Sequence, residues 1–478
     1  MLSALLVAAA LPATAAADHR VLVMDGGGQV RSVVAAPTPT LPPEPKGFRP
    51  IVRLPASAAA SSRTVSSELR HLRLRGDITA ADARARKRTW DRANATYRHL
   101  SGQHRRELGA VIVNMKLLAL RGGIRASRLP ALFLQLERNR EWWSRGPLLP
   151  YSQRVKFAGS DVLFEAFPGQ GLVLHVLGNF GQANGMRQAK QYTRLRKYLK
   201  ELRSFAAWRA GGKTWEYYFQ FGSNTISWAS GIAQGTAIQA FSKAGVRLHD
   251  PSMLALARSG LKVFQAPPPT GLRIRTKGGG AHYLIYSYAP YLRVLNAFAQ
   301  ALNGLYDTGR NAKSPTARKL YAAGRKEIVR ELPRYDTGAW SLYDGHRESD
   351  LSYHELLRDF LQGLCDRGAG PALCAKADRF TLYLKQPPRV RLTSTKVTAA
   401  RPALVRFTLS KESRVAMTIR RGERVVRSTS AVVPRGRHAY DWYVPEATGE
   451  YTVTLTARDL AGNTARHTQD VTVTRRRS

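Results

Sequence analysis

The chain has 478 residues, 44% hydrophobic and 23% charged, proportions of an ordinary globular protein that exclude wholesale disorder and supply cores for roughly two to four domains. Lysine and arginine number 75 against 33 aspartate and glutamate, a formal charge of +42. A field of that sign favours polyanions (nucleic acid, anionic lipid, wall phosphate polymers, acidic polysaccharides) without choosing among them, and an arginine-rich solvated surface gives the same excess.

Residues 1–17 read as a signal peptide. The apolar run from Leu2 to Leu11 leads through Pro12 to Ala15-Ala16-Ala17, an A-x-A cleavage pattern before Asp18. No basic residues precede the run, and it is too short for a bilayer, which takes about 20 residues. No other stretch is long and apolar enough to cross, so the mature protein is expected to be secreted or cell-wall associated, without stable membrane insertion. Residues 18–63, with Pro37, Pro39, Pro42, Pro43 and Pro45, read as a flexible leader. Within it Asp25-Gly26-Gly27-Gly28 is a turn and not a phosphate loop.

Residues 64–150 are helical by pattern, with Val111, Met115 and Leu118 recurring at spacings of three and four. Over 151–182 the rhythm changes to period two. Val155-Lys156-Phe157, Val162-Leu163-Phe164 and the run from Leu172 to Leu177 then form a small antiparallel β-region, with Pro168-Gly169-Gln170-Gly171 as a turn. Residues 183–386 are again helical, near 185–205, 231–244, 250–265, 290–304, 313–332, 350–364 and 371–384. Such hairpins close into an α/α toroid or pack as a bundle. After Pro387-Pro388, residues 389–475 alternate apolar and polar in short strands, the pattern of a β-sandwich of about seven strands. The run from Ala457 to Asn463, followed by Val471-Thr472-Val473, resembles bacterial immunoglobulin-like modules. That module is expected to serve as a spacer or a carbohydrate contact. Trp442 and Tyr443 are its candidate stacking aromatics, although a central aromatic in a sandwich is more often core. The fold class is therefore multidomain α+β.

Cys365 and Cys374 are the only cysteines. Outside the cell such a nearby pair forms a disulfide, stabilising by about 2–3 kcal/mol on the chain-entropy estimate; two buried thiols are the alternative. No metal site is indicated: there is no CxxC and no HExxH. Gly211-Gly212-Lys213-Thr214 imitates the end of a phosphate loop, but Ala207 stands where its first glycine belongs. A GxSxG elbow is also missing.

The informative segment is Tyr335-Asp336-Thr337-Gly338-Ala339-Trp340-Ser341-Leu342-Tyr343-Asp344, with Tyr353-His354 ten residues beyond Tyr343. Upstream lie Ala233-Gln234-Gly235-Thr236-Ala237-Ile238, Leu295-Asn296-Ala297-Phe298 and Gly304-Leu305-Tyr306-Asp307. In this order the pieces resemble the AQGxAI, LNGF…GLYD, YDTGxxSLYD and YH motifs of the C-terminal domain of D-glucuronyl C5-epimerases, over about residues 215–385. The resemblance implies an α/α toroid beside a β-domain with a substrate groove. It also implies three catalytic tyrosines, at Tyr286, Tyr343 and Tyr353. Arg347, His354 and Gln234 are the candidate substrate contacts. Ile285 stands where the family has a glutamate, Leu357 where it has a second histidine, and the segment between Tyr343 and Tyr353 is shorter.

Epimerisation at C5 removes a proton α to a carboxylate and returns one from the opposite face, so acid/base groups must flank the sugar and no redox cofactor is needed. A tyrosine held as phenolate at pH 7 costs about 4 kcal/mol relative to its ordinary pKa near 10, a shift that neighbouring cations can supply. They would also neutralise the substrate carboxylate and the developing enolate. Arg347 and His354 are expected in that role. The expected partner is an acidic polysaccharide or another polyanionic wall polymer and not nucleic acid, for which no motif is present. A polysaccharide lyase, or a non-catalytic polyanion-binding wall protein on the same fold, are the alternatives.

Overall fold

A computed structural model describes residues 20–35, 48–54, 63–398, 403–443 and 448–474. The expected signal peptide lies outside them. The chain divides into two compact units, one running to Ala229 and including Arg247–Asp250, the other comprising Ser230–Val246 and Pro251–Ser478.

The first unit opens with a hairpin, β1 (Arg20–Met24) and β2 (Val30–Val34), closed by Asp25, whose carboxylate accepts the Gln29 amide at 2.9 Å. This corrects the expectation of a flexible leader for residues 20–34; most of its prolines lie outside the described residues. β1 also pairs in parallel with β3 (Arg154–Phe157), giving the sheet order β2-β1-β3-β4-β5 with β4 (Phe164–Phe167) and β5 (Gly171–Leu174) antiparallel. Val21 and Met24 are buried, so apolar burial fastens the hairpin to the sheet. Helices α1 (Val65–Leu74), α2 (Ala80–His99), α3 (Gly102–Leu120) and α4 (Leu129–Arg145) precede β3. Thr64 and Ser67 cap α1 reciprocally, satisfying two end amides. From α4, the Asn139 amide group brackets Leu172 in β5, accepting its N–H and donating to its carbonyl, both at 2.7 Å.

The boundary expected at 182 falls instead near 230. Helices α5 (Val176–Gln188) and α6 (Tyr192–Ser204) stay with the sheet, because Asn179 exchanges two 2.8 Å hydrogen bonds with the Leu163 backbone and Tyr198 reaches Asn179. The single helix expected near 185–205 is broken at Lys190, which adopts φ 57°. Two small hairpins follow: β6 (Ala207–Arg209) with β7 (Gly212–Thr214), and β8 (Glu216–Tyr217) with β9 (Trp228–Ala229). The stretch resembling a phosphate loop is thus the end of a hairpin turn and strand β7.

In the second unit α7 (Gly231–Arg247) and α8 (Pro251–Ser259) are followed by a hairpin of β10 (Arg273–Arg275) and β11 (Ala281–Tyr283). Then come α9 (Leu295–Asn311), α10 (Pro315–Glu331), α11 (Leu351–Cys365) and α12 (Pro371–Tyr383). Consecutive helices pack as pairs, α9 with α10 and α11 with α12, and α9 also packs on α11. Cys365 and Cys374 are joined in a disulfide between α11 and α12. Where α7 meets α9, a Cβ on Gly304 would lie 2.1 Å from the Gly235 carbonyl oxygen, so the backbones touch only because both residues are glycine.

Eight strands follow among the described residues: β12 (Val390–Leu392), β13 (Lys396–Thr398), β14 (Ala403–Leu409), β15 (Ser413–Arg421), β16 (Arg424–Val433), β17 (Gly436–Trp442), β18 (Gly449–Asp459) and β19 (Thr464–Thr474). They form two sheets, β12-β14-β17 and β13-β19-β18-β15-β16. Alternate residues of both, including Val405, Phe407, Met417, Ile419, Val453, Leu455 and Val471, share one core. Trp442 belongs to that core, whereas Tyr443 is exposed.

Candidate active site

The segment 335–353 is shaped by its own polar side chains. Asp336 and Ser341 pair as an isolated antiparallel bridge around a turn in which Gly338 takes φ 82°. The Thr337 hydroxyl oxygen accepts the Trp340 amide at 2.8 Å, and the Asp336 carboxylate accepts the Gly338 amide at 2.8 Å. Asp336 also reaches Lys376 (2.6 Å) and the Tyr383 hydroxyl (2.9 Å), which tie the turn to α12. A second bridge, Leu342 with Glu348, closes another turn, in which the Tyr343 amide donates to the Arg347 carbonyl at 2.7 Å. Asp350 then caps α11, its carboxylate accepting the Tyr353 amide at 2.8 Å. Tyr343 therefore stands on the turn and Tyr353 on the first turn of the next helix. Their rings meet edge to face, centroids 5.1 Å apart.

The Tyr343 hydroxyl is buried and makes no hydrogen bond among the described residues. Burial pushes its pKa above the ordinary tyrosine value, outweighing the opposing charge of Arg347. Burial thus works against the expected cation-stabilised phenolate at this position and favours the phenol. The Arg347 guanidinium carbon lies 5.5 Å from the centre of the Tyr343 ring, while Nη2 is paired with Asp344 at 2.7 Å. Burial works against ionisation of Asp344, but the backbone amide of Arg347 and its guanidinium hold the carboxyl below the usual carboxylate range.

Two expected substrate contacts are corrected. His354 is fully buried, with Nδ1 2.8 Å from Ser341 Oγ and Nε2 2.9 Å from the Phe380 carbonyl, and its ring stacks on Trp340 with centroids 3.8 Å apart. A carbonyl can only accept, so Nε2 carries the proton and Nδ1 accepts. Burial lowers the His354 pKa to about 4, which leaves the ring neutral and removes it as a cation for the tyrosines. Gln234 is likewise fully buried, donating to the Gly260 carbonyl at 2.9 Å. One further motif position, Asp307, also bonds inside the fold. The Asp307 carboxylate accepts from Gln239 and pairs with Lys243 and Arg367 between 2.7 and 3.0 Å.

Tyr286 lies just past β11, after Leu284 and Ile285, whose carbonyls accept the Gly231 amide at the start of α7. Its ring stacks on Tyr288 at 5.4 Å and 5°. The structure therefore brings Tyr343, Tyr353 and Arg347 together and gives Tyr286 its own stacked pair. Ile285 is buried, so an apolar side chain fills that position. The shape-giving residues Trp340, Ser349 and Asp350 are not apparent from the motifs, although Asp350 stands three residues before Tyr353, the spacing of a helix cap. Among the described residues no group of three or more histidine, cysteine, aspartate or glutamate side chains is arranged to hold a metal.

Residues 210–377 match the protein family described as D-glucuronyl C5-epimerase C-terminus. A D-glucuronyl C5-epimerase of Caenorhabditis elegans is 33% identical over 129 residues, 24% of this chain and 21% of that protein. An uncharacterized protein of Methanocaldococcus jannaschii is 33% identical over 143 residues, 28% of this chain and 46% of that one. The chain thus spans less than half the length of the curated relatives it matches. Among solved structures, a D-mannose isomerase overlaps with a TM-score of 0.33 at 15% identity, covering 43% of this chain and 58% of that one. A cellobiose 2-epimerase from Bacillus thermoamylovorans overlaps with a TM-score of 0.30 at 10% identity, covering 44% and 59%. Overlaps this weak define neither a shared fold nor a shared activity.

Proposed function

We propose, from the membership of residues 210–377 in the D-glucuronyl C5-epimerase C-terminal family, that the chain acts on uronic acid residues of an acidic polysaccharide, exchanging the C5 proton with inversion. The observation that carries this reading is the contact of Tyr343 with Tyr353, 5.1 Å apart beside the Arg347 guanidinium.

The chemistry follows from proton balance. A base takes the C5 hydrogen as a proton, the C–H electron pair passes into the carboxylate as an enolate, and an acid on the other face delivers a proton to C5. Tyr343, protonated at neutral pH, is suited to the acid role. Its ring contact with Tyr353 leaves no room for a sugar between the two rings. The pair therefore serves one face, and Tyr286, buried and stacked on Tyr288, is the candidate base for the other once it is uncovered. Arg347 is the cation that meets the substrate carboxylate. Because the Tyr343 hydroxyl is covered, the turn around the exposed His346 and Arg347 would have to move for a sugar to reach it.

Within the same reading the helices of the second unit form part of an α/α toroid, the C-terminal two-sheet domain is immunoglobulin-like, and the protein works outside the cell or at the wall. Incubation with uronate polymers in deuterated water tests the reaction: deuterium at C5 is the expected result, and none with any uronate polymer overturns it. An unsaturated product absorbing in the ultraviolet would identify a lyase instead. One observation favours a non-catalytic, polyanion-binding role on the same fold, namely the buried Ile285 where the family carries an acid. Polymer binding without isotope exchange is its signature.

A further inference from the structure

The turn between β14 and β15 in the C-terminal β-domain does more than connect strands. Lys411, only 2% exposed, holds its ammonium between Asp459 of β18, paired at 2.6 Å, and the carbonyls of Tyr383 (2.9 Å) and Gln386 (2.6 Å), to which it donates. All three of its protons are thereby satisfied, two of them at the C-terminal end of α12, where a cation also meets the helix dipole favourably. The same ammonium lies 5.1 Å from the centre of the Trp340 ring, a cation–π distance. Trp340 is the ring that stacks on His354, and its Nε1 donates to the Ser349 carbonyl at 2.8 Å. The next residue makes a second contact. The Glu412 amide donates at 2.8 Å to the carboxylate of Glu348, which lies between Tyr343 and Tyr353, while Arg435 approaches the other oxygen at 3.7 Å. Asn463 adds a 2.9 Å bond to the Leu384 carbonyl.

We infer that the C-terminal β-domain is a positioning element of the tyrosine site, with Lys411 and Glu348 as positioning residues that hold segment 340–353 in the shape bringing Tyr343 against Tyr353. The inference deepens the epimerase reading and rests on it for its catalytic consequence. Spacer duty would need no buried ammonium in contact with a loop of the other domain. The two anchors grip Trp340 and Glu348, on either side of the 343–347 turn, so substrate entry can displace the turn while its ends stay fixed.

Two variants and two readouts test this. Lys411→Met combined with Asp459→Asn removes the buried charge pair together, avoiding an unpaired carboxylate. Glu348→Ala removes the second anchor while leaving the buried Lys411–Asp459 pair intact, and so guards against a folding failure of the first variant. Amide hydrogen exchange in the intact chain is followed at Leu342, Tyr343 and Ser349, whose N–H groups bond within the loop, with α9 as the internal reference. Protection at the three loop amides is expected to fall at least about tenfold with α9 unchanged. The kcat for C5 deuterium exchange is expected to fall by about tenfold or more while KM stays within about twofold, the pattern of lost orientation and not lost binding. Unchanged loop protection in both variants overturns the inference, even if turnover falls. Wild-type protein that exchanges no C5 hydrogen sinks the epimerase reading alone, since the loop amides still report whether these anchors shape the site.

Discussion

At the residue scale the site separates proton-handling groups from struts. His354 is the clearest strut. In the unfolded chain its pKa is about 6.5, whereas burial takes the folded value to about 4. The unfolded state therefore binds the proton first as pH falls. Stability attached to the neutral ring is fully present above pH 6.5 and is withdrawn between 6.5 and 4, by about 3 kcal/mol in all. Glu331 loses its contribution only later, between its ordinary value and about 2. Melting temperature should thus fall between pH 6.5 and 4.5 in the wild type, and His354→Gln should be less stable at pH 7.5 but flatter across that interval. A parallel slope in the variant would show that other groups carry the acid sensitivity. Tyr343 behaves differently. Tyr343→Phe keeps the ring against Tyr353 and removes a hydroxyl that is buried without a partner, so stability should stay within about 1 kcal/mol of wild type. Isotope exchange at C5 should drop at least about a hundredfold, the usual size of an acid/base contribution. The motif spacing made Tyr343 and Tyr353 legible as a pair, but not the burial that keeps Tyr343 protonated. Nor could motif membership distinguish a polar side chain facing solvent from one bonded inside, which is why Gln234 and His354 read as substrate contacts.

At the element scale the motifs are largely instructions for helix contact. The glycines of Ala233-Gln234-Gly235 and Gly304-Leu305 lie at one crossing, and a methyl group on Gly304 would meet the Gly235 carbonyl oxygen. That neighbour is backbone and cannot swing aside, so α7 and α9 would have to separate. Gly304→Ala should cost at the upper end of the overpacking range, about 3 kcal/mol, read as a lower denaturant midpoint. Gly185→Ala is the control, because nothing lies within 4 Å of its added methyl, and it should be neutral or slightly stabilising. Helix periodicity showed most of these elements, and alternation showed the strands after 389. What the pattern missed were breaks and long-range pairings. Lys190 leaves the helix in a left-handed conformation that no glycine or proline announced. The run Arg20–Met24 alternates weakly, and its place in a sheet depends on β3, more than a hundred residues away. Proline-rich composition around it then favoured the reading of a flexible leader.

At the scale of the whole molecule, charge and site act over different ranges. A surplus of 42 positive charges spread over the chain attracts a polyanion at distances where individual side chains are irrelevant. Such attraction is screened: the Debye length shrinks from about 10 Å at 0.1 M salt to about 3 Å at 1 M. The acid/base step instead depends on groups at short range within one unit, with Tyr343 and Tyr353 at 5.1 Å and Arg347 at 5.5 Å from the Tyr343 ring. The two ranges can be separated experimentally. Raising salt from 0.05 to 0.5 M should lower kcat/KM for a uronate polymer by about tenfold or more, because capture weakens. Turnover at saturating polymer should change less than about twofold, because the proton is handled at the buried Tyr343 hydroxyl, where salt does not reach. The residual salt dependence should shrink further for a short uronate oligomer, which spans fewer surface cations. A kcat/KM indifferent to salt would mean that the positive surface plays no part in holding the polymer, and that Arg347 with its immediate neighbours recognises the uronate unaided.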